Sequence, residues 1–122
     1  MSIQLSDIQE RQKEIIEHYG YIEQLDRLVE ECSELIQAIC KYKRKGEYDD
    51  FAEIDADLSL MEEMADVENL IEQFKIHNID IEKNIEKEKG WKINRELGRI
   101  VEELESACME EDALYIIDKF DL

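Results

Sequence analysis

Apolar residues recur along this chain at three- and four-residue spacing, the period of amphipathic helices. The clearest run is Leu25, Leu28, Cys32, Leu35 and Ile39, one stripe on a helix read from about Tyr21 to Lys45. Before it, Ile8, Ile15 and Ile16 mark a first helix capped by Ser6 or Ser2 and running to about Tyr19, with Gly20 as the turn. Lys41, Lys43, Arg44 and Lys45 followed by Gly46 are stop signals for the second helix. Residues 46–54 read as an acidic connection. A third helix is predicted from about Asp55 to His77, burying Leu60, Met64, Val67, Leu70, Ile71 and Phe74, with Asn78 ending it. A fourth spans about Ile79 to Ser106, with interruptions expected at Gly90 and Gly98, and Trp91, Ile93, Leu97, Ile100, Val101 and Leu104 toward a core. A short fifth covers 110–122 through Leu114, Ile116, Ile117 and Phe120. The predicted fold is all-α, an antiparallel bundle of four to five helices in one domain.

Composition supports helices: 43% apolar, 39% charged and no proline in 122 residues. The charge narrows the partners. With 33 acidic against 15 basic residues the chain carries −18, which repels nucleic acid polymers and anionic membranes. A free nucleotide is less constrained, because a bound cation can bridge it to acidic protein. Three cysteines, Cys32, Cys40 and Cys108, and two of them in apolar helical pattern, point to reduced thiols that act as small core residues and to a cytoplasmic setting. No signal-peptide pattern and no apolar run long enough to cross a membrane is present.

Candidate chemistry lies in two acidic pairs at three-residue spacing. Glu31 has Leu28 one turn before it and Leu35 one turn after, with Glu34 following; Glu63 has Leu60 and Val67, with Asp66 following. Spacing alone carries nothing, since chance places about nine such pairs in a chain this acidic and nine occur. The apolar flanks are more selective. Only Glu31, Glu63 and Asp118 have apolar residues on both sides, and Asp118 sits at the end of the chain. Carboxylates beside a core face are costly to bury unpaired, and on antiparallel helices the four could meet around one cation. Solvated helix faces are the competing reading.

Glu30-Glu31-Cys32-Ser33-Glu34, 28 intervening residues, then Glu63-Met64-Ala65-Asp66 resembles the signature of the all-α nucleoside triphosphate pyrophosphohydrolases, the MazG-like proteins and their dimeric dUTPase relatives. The flanking text, Arg27-Leu28-Val29 before and Val67 after, is similar too, and the match covers about residues 20–100. The spacer is long for this signature, and the acidic stretch 47–57 has no counterpart in it. The resemblance implies Mg²⁺ ligands at Glu31, Glu34, Glu63 and Asp66, with Mn²⁺ as a substitute. It implies cleavage of a nucleoside triphosphate to monophosphate and pyrophosphate in nucleotide-pool house-cleaning, and assembly as a homodimer or homotetramer. Glu30 is expected to orient water or simply to be solvated. Mg²⁺ suits these ligands, being a hard cation that takes oxygen donors and keeps several waters.

A −18 chain needs local cations where a triphosphate sits. Lys92, Arg95 and Arg99 share a helix face by their spacing, and the family places a similar Lys/Asn/Arg cluster on its corresponding helix. Lys92, Asn94 and Arg95 are therefore the candidate substrate ligands, against a face paired with Glu88 and Glu96. His18 and His77 are expected near helix ends, and neither follows a glutamate three residues earlier, so a ferritin-like di-iron site is not indicated. Trp91 reads as core more than stacking platform, and the Lys41–Lys45 run as a solvated helix end. No histidine near a cysteine supports thiol catalysis. The main alternative is a non-catalytic helical interaction protein that keeps the fold; a third reading is an acidic adaptor without a metal site. Divalent-cation titration and pyrophosphate release distinguish the three.

Overall fold

The structure, a computed structural model, describes residues 5–44, 46 and 50–122. They form α1 (Leu5–Tyr19), α2 (Tyr21–Lys43), α3 (Asp50–His77), α4 (Ile79–Ser106) and α5 (Glu110–Phe120). No strand occurs among the described residues. The chain divides into two compact units, residues 1–81 and 82–122.

In the first unit α1, α2 and α3 pack together. The α2–α3 pairing is antiparallel, as its contacts show. Tyr21 meets the edge of the Phe74 ring at 5.3 Å, Gln24 Nε2 donates to Gln73 Oε1 at 2.7 Å, and Lys41 pairs with Asp55. Numbers rise on one helix as they fall on the other. Gly20 connects α1 to α2 alone, at φ 93°, a left-handed value that costs a side-chain-bearing residue but not glycine. The core is small: Ile16, Ala38, Ala56, Leu70 and Phe74. Three glutamines, Gln12, Gln24 and Gln73, are buried with it. Gln12 Nε2 donates to Asn69 Oδ1 at 3.0 Å and Glu72 Oε2 at 2.6 Å, fastening α1 to α3. Buried amides are kept by such partners.

Several expectations need correction. The face of α2 is turned relative to the expected stripe. Cys32 and Cys40 are exposed; Gln24 and Ala38 are buried, and Leu25, Leu28, Leu35 and Ile39 are half-buried. The reason is that α2 carries apolar residues all round, so periodicity alone does not select the buried side. Ile22, Val29 and Ile36 stay exposed on it, and Phe51, Ile54, Leu58 and Met61 form a similar exposed stripe on α3. Met64, expected inside, is exposed. Helix α3 starts at Asp50, not Asp55. Glu53 favours its positive N-terminal end, Asp55 is held by Lys41, and Ala56 is fully buried, so this stretch has reason to be helical. Ser6 lies within α1. Ser2, Lys45 and residues 47–49 fall outside the described residues.

The ends of α3 and α4 share Asn78. Its backbone N–H closes on Phe74 O at 3.3 Å, and its Oδ1 accepts from the Asp80 N–H at 2.8 Å, an N-cap for α4. His18 and His77 lie in the last turns of α1 and α3.

The second unit holds most of α4 and all of α5. Helix α4 runs through Gly90 and Gly98 without interruption. Each glycine costs about 1 kcal/mol, which a 28-residue helix absorbs; Lys89–Glu86 and Arg99–Glu96 pairs at 3.2 and 3.0 Å brace the same turns. Val101 is buried and Leu97 and Leu104 half-buried. Trp91 and Ile93, expected toward a core, are exposed. Cys108 takes a left-handed φ of 60°, Met109 N–H closes on Leu104 O at 2.8 Å, and α5 follows with Ala113 buried. No helix among the described residues is long and apolar enough to cross a membrane.

A candidate metal centre and its adjoining cleft

The antiparallel register of α2 and α3 sets Glu31 opposite Glu63 and Asp66. One carboxylate oxygen from each of these three lies within 4.8 Å of the other two. Glu31 and Glu63 are half-buried and Asp66 is exposed. Glu34 is near enough for its charge to raise both Glu31 and Glu63, but it does not join the three-way convergence with Asp66. Glu30 is exposed and outside the cluster.

Two oxygens set this cluster apart from an ordinary acidic surface. Glu31 Oε2 and Glu63 Oε2 are shut off from solvent and have no hydrogen-bond partner. A carboxylate oxygen without water or donor is costly, and nothing among the described residues satisfies either of them. Removal from water pushes the Glu31 carboxyl above the usual carboxylate range, with Glu34, Asp66 and Glu63 adding to it. Glu63 is raised in the same way, first by desolvation and then by the charges of Glu34 and Asp66. The donor set fits a hard divalent cation. Neighbouring to opposite ligand positions on Mg²⁺ stand about 3–4 Å apart, so a spread of up to 4.8 Å needs only a small side-chain adjustment.

Beside the cluster opens a cleft of about 360 Å³. Glu31 and Asp66 form one part of its lining; Tyr19, Gln24, Arg27, Asn69 and Gln73 are among the rest. Arg27, one turn before Glu31 on α2, brings a cationic residue to this lining. These residues were not singled out by the sequence reading, though a signal for two of them exists. Gln24 lies seven residues before Glu31 and Gln73 seven after Asp66, two turns along the same helix faces. A polar amide on a face already marked as core-facing is the cue.

Lys92, Asn94 and Arg95 lie on α4 in the second unit, and all are exposed. Arg99 pairs with Glu96, whereas neither Lys92 nor Arg95 has an ion-pair partner among the described residues. No protein-family model, curated protein or solved structure matches the chain.

Proposed function

We propose that this chain is a Mg²⁺-dependent nucleoside triphosphate pyrophosphohydrolase of the all-α, MazG-like type. The observation that carries the reading is the convergence of Glu31, Glu63 and Asp66 at the edge of a cleft, with an unpartnered oxygen on each of the two glutamates. The cleft's volume is in the range of small-ligand sites. Glu31, Glu63 and Asp66 would hold the cation, with Glu34 as the fourth carboxylate the resemblance assigns to it. A Mg²⁺ held there would neutralise phosphate oxygens and lower the pKa of a water. In the reaction, water oxygen bonds to the α-phosphorus, the bond from that phosphorus to the bridging oxygen breaks, and pyrophosphate leaves with the electron pair. Glu30 orients the water or takes its proton from the solvent side.

Arg27 offers forked donors to phosphate oxygens. The Gln24–Gln73 bond leaves the Gln24 oxygen and the Gln73 NH₂ as an acceptor and a donor for the edge of a base. Incubating the protein with Mg²⁺ and a panel of canonical and modified NTPs and dNTPs yields monophosphate and pyrophosphate from at least one. Ion-exchange separation of the products decides this: diphosphate plus orthophosphate rejects the mechanism.

The resemblance also gives Lys92, Asn94 and Arg95 a substrate-binding role, and kinetics of their variants test it apart from the first unit's cleft. Charged hydrogen bonds contribute roughly 1.5–3 kcal/mol, so Lys92→Ala or Arg95→Ala lowers kcat/KM about tenfold to a hundredfold while Mg²⁺ binding persists. Near-wild-type kcat/KM in both variants removes these residues from substrate binding.

A further inference from the structure

The cleft beside the carboxylates has a direction. On α3, Asn69 lies three residues past Asp66, and Gln73 four past Asn69, so the three share a face and succeed one another along it. Gln24 of α2 meets Gln73 at the far end, and all four residues line the cleft. Moving away from Asp66, a ligand passes first one amide and then a pair of amides.

These amides differ in freedom. Glu72 and Asn69 both accept from Gln12 Nε2, at 2.6 and 3.0 Å. A carboxylate only accepts, so Glu72 fixes which end of the Gln12 amide faces it. Gln12 in turn occupies the Asn69 oxygen and leaves Asn69 its NH₂, a donor of set polarity. Gln24 and Gln73 carry no such anchor. Both are buried, Gln24 Nε2 donates to Gln73 Oε1, and neither side-chain amide makes another hydrogen bond among the described residues. Turning both amides over makes Gln73 the donor and keeps their mutual bond. The pair then shows the cleft a donor where it had an acceptor, and an acceptor where it had a donor.

Pyrimidine bases match this combination. Beside the glycosidic nitrogen, cytosine and uracil carry the same acceptor, the 2-carbonyl. Beyond it their edges are inverted. Cytosine has an acceptor at N3 and an amino donor on C4; uracil has a donor at N3 and a carbonyl on C4. Guanine sets an amino donor where a pyrimidine has its 2-carbonyl, and adenine sets a C–H there. With sugar and phosphates toward Asp66, the 2-carbonyl is the polar group of the base nearest Asn69, and N3 and C4 reach toward Gln73 and Gln24.

Taking the cleft as a nucleotide site, as the reading above does, we propose that Asn69, held by Gln12, selects pyrimidine over purine nucleotides, and that the invertible Gln24–Gln73 pair accepts cytosine and uracil alike. Asn69 touches the base; Gln12 is a positioning residue that acts through it.

Calorimetric titration of the full chain with CMP, UMP, AMP and GMP in Mg²⁺ reads the base without turnover, and kcat/KM for the four triphosphates reads it with turnover. CMP and UMP bind within about threefold of each other and about tenfold to a hundredfold tighter than AMP and GMP, the scale set by an unmatched polar group. Asn69 is exposed, so changing it does not open the core. Asn69→Asp keeps the oxygen that accepts from Gln12 and turns the donor into an acceptor. It raises the GMP-to-UMP affinity ratio by about tenfold or more, whereas general damage lowers both alike. Gln12→Met releases the Asn69 amide and raises the same ratio, with CMP and UMP still equal. Purines bound as tightly as pyrimidines, one pyrimidine favoured beyond that threefold, no monophosphate bound, or an Asn69→Asp ratio equal to wild type each overturns the proposal. Pyrophosphate from no triphosphate, with CMP and UMP bound equally and above the purines, removes the hydrolase reading and supports the base selection.

Discussion

Mg²⁺ at about a hundred times its dissociation constant raises the melting midpoint of the wild-type chain by on the order of 10 °C, from roughly 2.7 kcal/mol of preferential binding to the folded state. The cause is that folding gathers four carboxylates, two of them with orphaned oxygens, and leaves their repulsion unrelieved. The same cause fixes the pH dependence. Glu31 and Glu63 have folded-state pKa values above the ordinary 4.5, so without metal the folded chain binds more protons than the unfolded one above that value. Stability contributed by these groups therefore grows as pH is lowered from 7 toward 4.5 and is lost as pH rises. Mg²⁺ and protons compete for the same oxygens, so the midpoint shift shrinks over that window. Differential scanning calorimetry at several pH values measures both. The double variant Glu34→Gln, Glu63→Gln separates the cluster from the general repulsion of a −18 chain. An equal Mg²⁺ shift in that variant, or none in the wild type, counts against the site.

Glu63→Gln keeps the side chain's shape and removes a charge from the centre. In the pyrophosphate-release assay it lowers kcat on the order of a thousandfold or more, the scale expected when charge stabilisation worth several kcal/mol is lost. Its KM changes little if the nucleoside is held by the cleft. The same substitution raises the metal-free melting midpoint, since it removes repulsion and gives a formerly orphaned position an amide. Opposite movements of activity and stability are the mark of a site held at a cost to the fold. A Glu63→Gln protein that turns over within about threefold of wild type shows that Glu63 is no ligand.

The helices were legible because five apolar patterns, the Gly20 turn and Asn78 each punctuate the chain by local rules. The α2 face was not. Leu28 and Leu35 compete with Ile22, Val29 and Ile36 for the buried side, and the decision rests on Gln24 finding Gln73, a tertiary bond with no local trace. The acidic pairs were legible only through their apolar flanks, Leu28/Leu35 around Glu31 and Leu60/Val67 around Glu63. That Glu34 would stand near its neighbours without joining the Asp66 convergence depends on side-chain reach across the seam. Trp91 misled because an aromatic at helical spacing states its own preference for burial but not whether a partner surface is present.

The α2–α3 seam is fastened at both ends, by Tyr21 on Phe74 and Gln24 on Gln73 at one and by Lys41 on Asp55 at the other. Between these fastenings lie mutually repelling acids that, left to themselves, would slide past one another. A one-turn slip is about 5.4 Å, more than the entire 4.8 Å span of the three converging oxygens. The fastenings therefore act as alignment pins at the two ends of a ruler. They remove axial freedom away from the repelling acids, so that the middle can stay electrostatically tense and still keep its register.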